Sequence, residues 1–284
     1  MKKNIALLFG LVLGLGFVSC SGDDDDDEYT NGGEGKYLAE EVITRYVWTG
    51  NHRSSEGEPY QITRYNKDGR IVNIENYYYG SRVDYTYYEN GDKKEERFYD
   101  RNNTITSTYK YEYNYVDSFV VMYSYNWKDQ LVSTIKSEYN NDKKLIRETE
   151  IVDSIGNDYG KVKTYSYSGN TKTTDITNLK DGLLYRRIIE EVDSHGNFKF
   201  VDYGNTVYKY ENEYDSEGRI LTITEYFSDE EADYNYTGYT YNDDGTVKKK
   251  QQIFSRVTTA GPGLVIDYKR EVYDFEYTYI YKKK

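Results

Sequence analysis

Apolar and aromatic residues recur at every second position over short runs, and helical spacing is almost absent. Tyr109, Tyr111, Tyr113 and Tyr115 form one series; Tyr123, Tyr125 and Trp127 form the next. Tyr165 and Tyr167, Tyr208 and Tyr210, and Tyr277, Tyr279 and Tyr281 continue the pattern. Successive residues of a strand point to opposite faces, so each series lines one face of one strand. The stretch with the best helical argument, Tyr37 to Trp48, becomes β-branched in its second half and reads as a first strand.

Between these runs a heptad recurs. Tyr65-Asn66-Lys67-Asp68-Gly69-Arg70-Ile71 returns as Tyr214-Asp215-Ser216-Glu217-Gly218-Arg219-Ile220 and as Tyr241-Asn242-Asp243-Asp244-Gly245-Thr246-Val247. Weaker copies start at Tyr88, Tyr113, Tyr139, Tyr167 and Val192, which gives a spacing of 22 to 28 residues along the chain. Asn or Asp bonds its own backbone, Gly accepts positive φ, and an aliphatic residue restarts the strand. A second set of turn residues lies midway between motifs, for example Asp100 to Asn103 and Asn126 to Asp129. The pattern predicts an all-β chain, a long antiparallel meander of about sixteen strands built from hairpins of about 25 residues and forming an extended or rolled sheet.

The motif Y-[DN]-x-x-G-R-[IL], repeated along a chain with a partner strand each time, resembles the YD repeats of rearrangement-hotspot proteins. It is closer still to YD-like surface lipoproteins of Bacteroidetes type, a family of unknown function. The resemblance covers about Lys36 to the C-terminus. It implies a sheet that serves as shell or scaffold, and it implies no reaction.

The N-terminus carries Lys2 and Lys3, an apolar run from Ile5 to Val18, and then Ser19-Cys20. That run is short for a membrane-crossing helix and fits the apolar core of a secretion signal. Cys20 is the single cysteine, so no disulfide forms within the chain. A small residue before a lone cysteine resembles the bacterial lipobox, with Phe17 standing where such boxes usually carry Leu. The resemblance implies lipidation at Cys20. Asp23 to Asp27 and Glu28 follow, a run too charged and too poor in apolar residues to order. Its position resembles the acidic export signal of Bacteroidetes-type lipoproteins. The reading is therefore a signal peptide over 1–19, a lipidated cysteine and flexible tether over 20–36, and one repeat domain over 37–284. It places the protein at the outer membrane, lipid-anchored and facing the cell exterior; a periplasmic spacer is the alternative.

Composition changes this picture in two ways. The formal charge of −12 becomes −14 without the two signal lysines, and a negative chain lacks the positive footprint that nucleic acid needs. Leu, Ile, Val and Phe make up only about 18% of the chain after residue 19, a level that suggests disorder in a charged chain. The 37 tyrosines reverse that suggestion, since each brings a large ring with a hydroxyl that tolerates water. A thin, half-wet core is expected.

Candidate chemistry is sparse. His52 and His195 are the only histidines, too few with one cysteine for a zinc site. Asn242 to Gly245 offers oxygens but lacks the alternating acids of a calcium loop. Glu190-Glu191 and Glu230-Glu231 are adjacent in strand-like runs, so their members face apart rather than across a cleft. No nucleophile elbow or phosphate loop occurs. No catalytic residue, metal ligand or cofactor is assigned, and the chain is read as a non-enzyme. Aromatic faces stack on sugar rings, so Tyr111, Tyr113, Tyr123, Tyr125 and Trp127 form the candidate ligand platform, provided that their rings share a face. Asp153-Ser154-Ile155 resembles the O-glycosylation signal of Bacteroidetes-type secreted proteins, which points to Ser154. The expected function is a cell-surface binding or scaffold module for extracellular glycan or surface protein; a purely structural spacer, or less favourably a glycan-active enzyme, is the alternative.

Overall fold

The computed structural model describes residues 36–152, 160–227, 234–259 and 265–283. Cys20, the acidic run, Glu230-Glu231 and Ser154 lie outside the described residues. Nineteen strands follow one another without a helix among the described residues. The first seven are β1 (Lys36–Thr49), β2 (His52–Arg53), β3 (Glu58–Tyr65), β4 (Ile71–Asn76), β5 (Ser81–Tyr87), β6 (Lys93–Tyr99) and β7 (Ile105–Asn114). Then come β8 (Phe119–Asn126), β9 (Leu131–Tyr139), β10 (Leu145–Ile151), β11 (Gly160–Ser168), β12 (Thr171–Asn178) and β13 (Leu184–Val192). The last are β14 (Phe198–Asp202), β15 (Val207–Tyr214), β16 (Ile220–Tyr226), β17 (Tyr234–Tyr241), β18 (Val247–Thr259) and β19 (Val265–Lys283).

Each strand from β3 to β18 pairs antiparallel with the next, as the hairpin repeats predict. The sheet does not stay open, however. β1 pairs with β19 from Lys36↔Lys283 to Val47↔Tyr273, and on its other side it pairs with β3. β2 pairs with β1 alone, so the ring is an eighteen-stranded closed barrel. This corrects the expectation of an extended or rolled sheet of about sixteen strands. The eight repeats account for β3 to β18; β1 and β19 flank them and remove the two edges whose unpaired N–H and C=O groups would otherwise face water or another chain.

Register fixes which residues share a wall, because directly opposed residues lie on one face. Ile43↔Tyr277, Val83↔Phe98, Glu96↔Tyr109, Tyr111↔Met122, Glu148↔Lys163, Tyr165↔Thr174, Val201↔Tyr208, Tyr210↔Glu225 and Lys250↔Phe275 all belong to one continuous face. β15 shows the alternation clearly: Tyr208, Tyr210, Asn212 and Tyr214 are half-buried, whereas Val207, Lys209, Glu211 and Glu213 are exposed. The tyrosine-rich face is the inner wall. There burial pushes the Tyr65 and Tyr85 hydroxyls up to about 12 and raises Tyr111, Tyr165 and Tyr210 as well.

Eighteen strands enclose more space than opposing side chains fill. Accordingly, Ala39, Ile43, Val201, Ile253 and Phe275 are the buried apolar residues among those described, and four of them sit on β1, β18 and β19. Apolar burial concentrates near the seam where first and last strands meet, with Ile43 and Phe275 on the inner face and Ile253 on the outer one, and most of the inner wall is only half-buried.

The motif turns, which follow β3, β5, β7, β9, β11, β13, β15 and β17, all fall on one rim. The start of β1 and the end of β19 lie on that same rim, so the residues preceding Lys36 join the barrel there. The second set of turns forms the opposite rim.

Candidate functional site

The motif residues have specific work in the barrel. Asn66 N donates to Arg70 O at 2.8 Å, Gly69 N donates back to Asn66 O at 3.0 Å, and Asn66 Oδ1 accepts from the backbones of Asp68 and Arg70. Asp215 does the same for Glu217 and Arg219. Gly69 at φ 75° and Gly218 at φ 79° take the left-handed position that closes the turn. The strands slip by one residue at Arg64/Tyr65 and at Glu213/Tyr214, a β-bulge that skips Val72 and Leu221, the residues just after the restarting Ile71 and Ile220.

The tyrosine of the following hairpin bonds the backbone beside that bulge. Tyr87 Oη donates to Ile71 O at 2.5 Å, Tyr167 Oη to Leu145 O at 2.8 Å, Tyr241 Oη to Ile220 O at 2.6 Å and Tyr279 Oη to Val247 O at 2.8 Å. The cation before the restarting residue stacks on the same ring: Arg70 over Tyr87, Lys144 over Tyr167 and Arg219 over Tyr241. Tyr214 reaches back differently, bonding Asp193 and accepting from Asn197 Nδ2, with His195 stacked on its ring at 3.9 Å. The heptad therefore encodes a turn and also the joint between one hairpin and the next.

Higher on the inner wall, tyrosines meet carboxylates. Tyr210 Oη donates to Glu225 Oε1 at 2.7 Å, and Asn235 holds the other carboxylate oxygen at 2.7 Å. Tyr165 bonds Glu148, which also takes Lys163 Nζ at 3.1 Å. Tyr111 is raised by burial first and then by Glu96, whose carboxylate also pairs with Lys93. Lys172 Nζ lies 2.6 Å from Glu190. These groups give the lumen half-exposed rings beside strong acceptors and donors, with acids and bases interleaved. Such a wall suits hydrogen bonding and stacking.

The sequence-predicted platform does not assemble. Tyr111 pairs with Met122 and Tyr113 with Val120, on the inner wall, whereas Tyr123 pairs with Lys110 and Tyr125 with Thr108, on the outer wall. The rows lie on opposite faces because β7 ends at Asn114 and β8 begins at Phe119, a spacing that sets the parity of the hairpin. Trp127 belongs to neither row; it sits in the β8–β9 turn, 66% exposed, with Lys128 Nζ 4.7 Å from its ring. Tyr115, read as the end of its series, is 65% exposed in the β7–β8 turn.

Glu190 and Glu191 do face apart, the first to Lys172 on the inner wall and the second to Lys199 outside. Among the described residues no group of three His, Cys, Asp or Glu side chains is placed to hold a metal. In the turn at Asn242, the Asp244 carboxylate accepts from the backbone and hydroxyl of Thr246. What sequence reasoning missed is the rim opposite the motifs, where Tyr77, Tyr78, Tyr79, Leu183, Leu184 and Tyr185 are all about half exposed or more. The available signal was aromatic and aliphatic residues within turn segments.

No family model matches the chain, and no curated protein matches it. Among solved structures it is similar to a porin-like protein from Bacteroides uniformis, with a TM-score of 0.41 and 12% identity over 86% of this chain and 98% of that one. A porin-like protein from Bacteroides vulgatus gives a TM-score of 0.30 at 12% identity, covering 84% and 98%. The TcdB2-TccC3 structure gives 0.27 at 11% identity, over 80% of this chain and 14% of that chain.

Proposed function

We propose that the chain is a lipid-anchored surface barrel that stands in water beyond the outer membrane and acts as a non-catalytic binding or scaffold module, with the inner wall as the surface offered to extracellular glycan or protein. The observation that carries this reading is the charge on the outer wall. Arg64 and Glu75 (2.8 Å), Arg97 and Glu95 (2.6 Å), Lys136 and Glu138 (2.9 Å) and Arg187 and Asp175 (2.6 Å) all pair on it. A membrane-spanning barrel needs an apolar band about 25 Å tall facing lipid, and a Lys or Arg at the midplane costs about 2–4 kcal/mol. Charged residues on so many strands are therefore matched to water. Anchoring falls to Cys20, whose tether leads to the motif rim.

A spacer role with the same anchor is favoured by a different observation, namely that several motif tyrosines use their hydroxyls on neighbouring repeats. Protease treatment of intact cells tests the placement: the barrel should be digested, and Cys20→Ala should lose incorporation of labelled palmitate. A barrel that resists protease in intact cells and is cut only after lysis would place it in the periplasm.

A further inference from the structure

Two polar side chains of the outer wall are shut off from water completely. Asp274 and Ser255 are 0% exposed, and register puts both on the outer face, since their neighbours Phe275 and Phe254 belong to the inner one. The N-terminal hairpin lies against Asp274. β1 runs on to Trp48 and Thr49, turns, and returns as β2 through Trp48↔Arg53 and Thr49↔His52. Arg53 then lies over β19: its Nε is 3.1 Å from Asp274 Oδ2, its Nη2 is 2.5 Å from Glu276 Oε1, and its guanidinium sits 3.6 Å from the Tyr46 ring. From β18, Lys249 Nζ approaches Asp274 Oδ2 at 3.0 Å and Gln251 Nε2 donates to Oδ1 at 2.8 Å. The chain next passes back across β1 toward β3. At Gly57 an added Cβ would fall 2.3 Å from Thr44 Cγ2 and 2.7 Å from the Tyr46 ring, so only glycine fits this crossing. One strap thus spans β19, β1 and β3, the two joints that close the ring, and ties together residues 223 apart in sequence.

We infer that this strap is the latch of the barrel: closure is held at the β1–β19 seam by the Arg53–Asp274–Lys249 cluster, and the seam opens as a unit when the cluster is broken. Two considerations separate this from ordinary packing. A fully buried carboxylate costs free energy unless its partners are held in place, and those of Asp274 come from β2 and β18. Every other joint of the ring is a hairpin or short connection closed locally, whereas β1 and β19 must meet across the whole chain. The charged groups facing Asp274 are Arg53 from β2 and Lys249 from β18, with Glu276 sharing Arg53 on its own strand. Burial works against the Asp274 charge, but the bonds from Gln251 and Lys249 outweigh it and hold the carboxyl below the ordinary carboxylate range. A lowered value stabilises the seam above that range and fails it as pH falls through the folded-state value.

Hydrogen exchange read by mass spectrometry on the full chain tests the latch. Asp274→Asn should raise exchange at least tenfold in segments 36–49 and 273–283 and leave the β7–β8 hairpin at its wild-type rate. Arg53→Gln, a milder change at a part-exposed residue, should loosen the same two segments. The double variant should add little to Asp274→Asn, since both changes break one cluster. Unchanged seam exchange in either single variant would overturn the latch, as would equal acceleration in every strand.

Discussion

What a tyrosine does in this chain is decided by its surroundings. At the motif position its hydroxyl caps a carbonyl beside a bulge, as Tyr241 does for Ile220. Replacing Tyr241 by Phe keeps the ring under Arg219 and removes the bond, so urea denaturation should show a loss of about 0.5–1.5 kcal/mol. Tyr123, whose hydroxyl meets Glu112 on the outer wall, should tolerate Phe with a smaller loss. Gly218 is the other residue whose job is singular: at φ 79° alanine is strained, and Gly218→Ala should cost about 1 kcal/mol by the same measurement. The turn chemistry of the heptad was legible in the sequence, because Asn, Asp and Gly state their local geometry. The partner of the tyrosine hydroxyl was not, because it lies on the preceding hairpin and depends on register.

At the scale of elements, alternation was easy to read and parity was not. Each tyrosine series falls on a strand, and the Tyr37 to Trp48 segment is indeed the first strand, β1. Yet whether two adjacent series share a wall depends on the length of the turn between them, and one residue either way inverts the answer. The four residues between Asn114 and Phe119 put Tyr111 and Tyr123 on opposite walls. Trp127→Ala should therefore leave stability within about 0.5 kcal/mol, as expected of an exposed turn residue. Phe275, 6% exposed at the seam and edge-on to Tyr60 with centroids 5.0 Å apart, is the opposite case. Its replacement by Ala should cost about 3–5 kcal/mol in a urea titration.

For the molecule as a whole, closure is the feature the sequence could not announce. Eight repeats predict their own hairpins, but nothing local in β1 or β19 states that they pair with each other. Closure turns most of the tyrosine series toward the lumen, where partial burial raises their hydroxyls, and this has a pH signature. Tyr85 is pushed up to about 12 by burial and then by Glu96, against about 10 in an unfolded chain. Between those values the folded barrel retains protons that the unfolded chain releases, so stability should fall as pH rises above about 10. Tyrosinate absorbance should lag in the native protein and return to ordinary titration in urea. The arrangement with tyrosine rings lining the lumen and ion pairs spread over the outer wall is the central claim. Its most direct test is detergent phase partitioning of the chain from Ser21 onward, which lacks the signal and the lipid cysteine. The account predicts a folded β-protein that remains in the aqueous phase and unfolds in one urea transition without detergent; recovery in the detergent phase, or folding only when detergent is present, would contradict it.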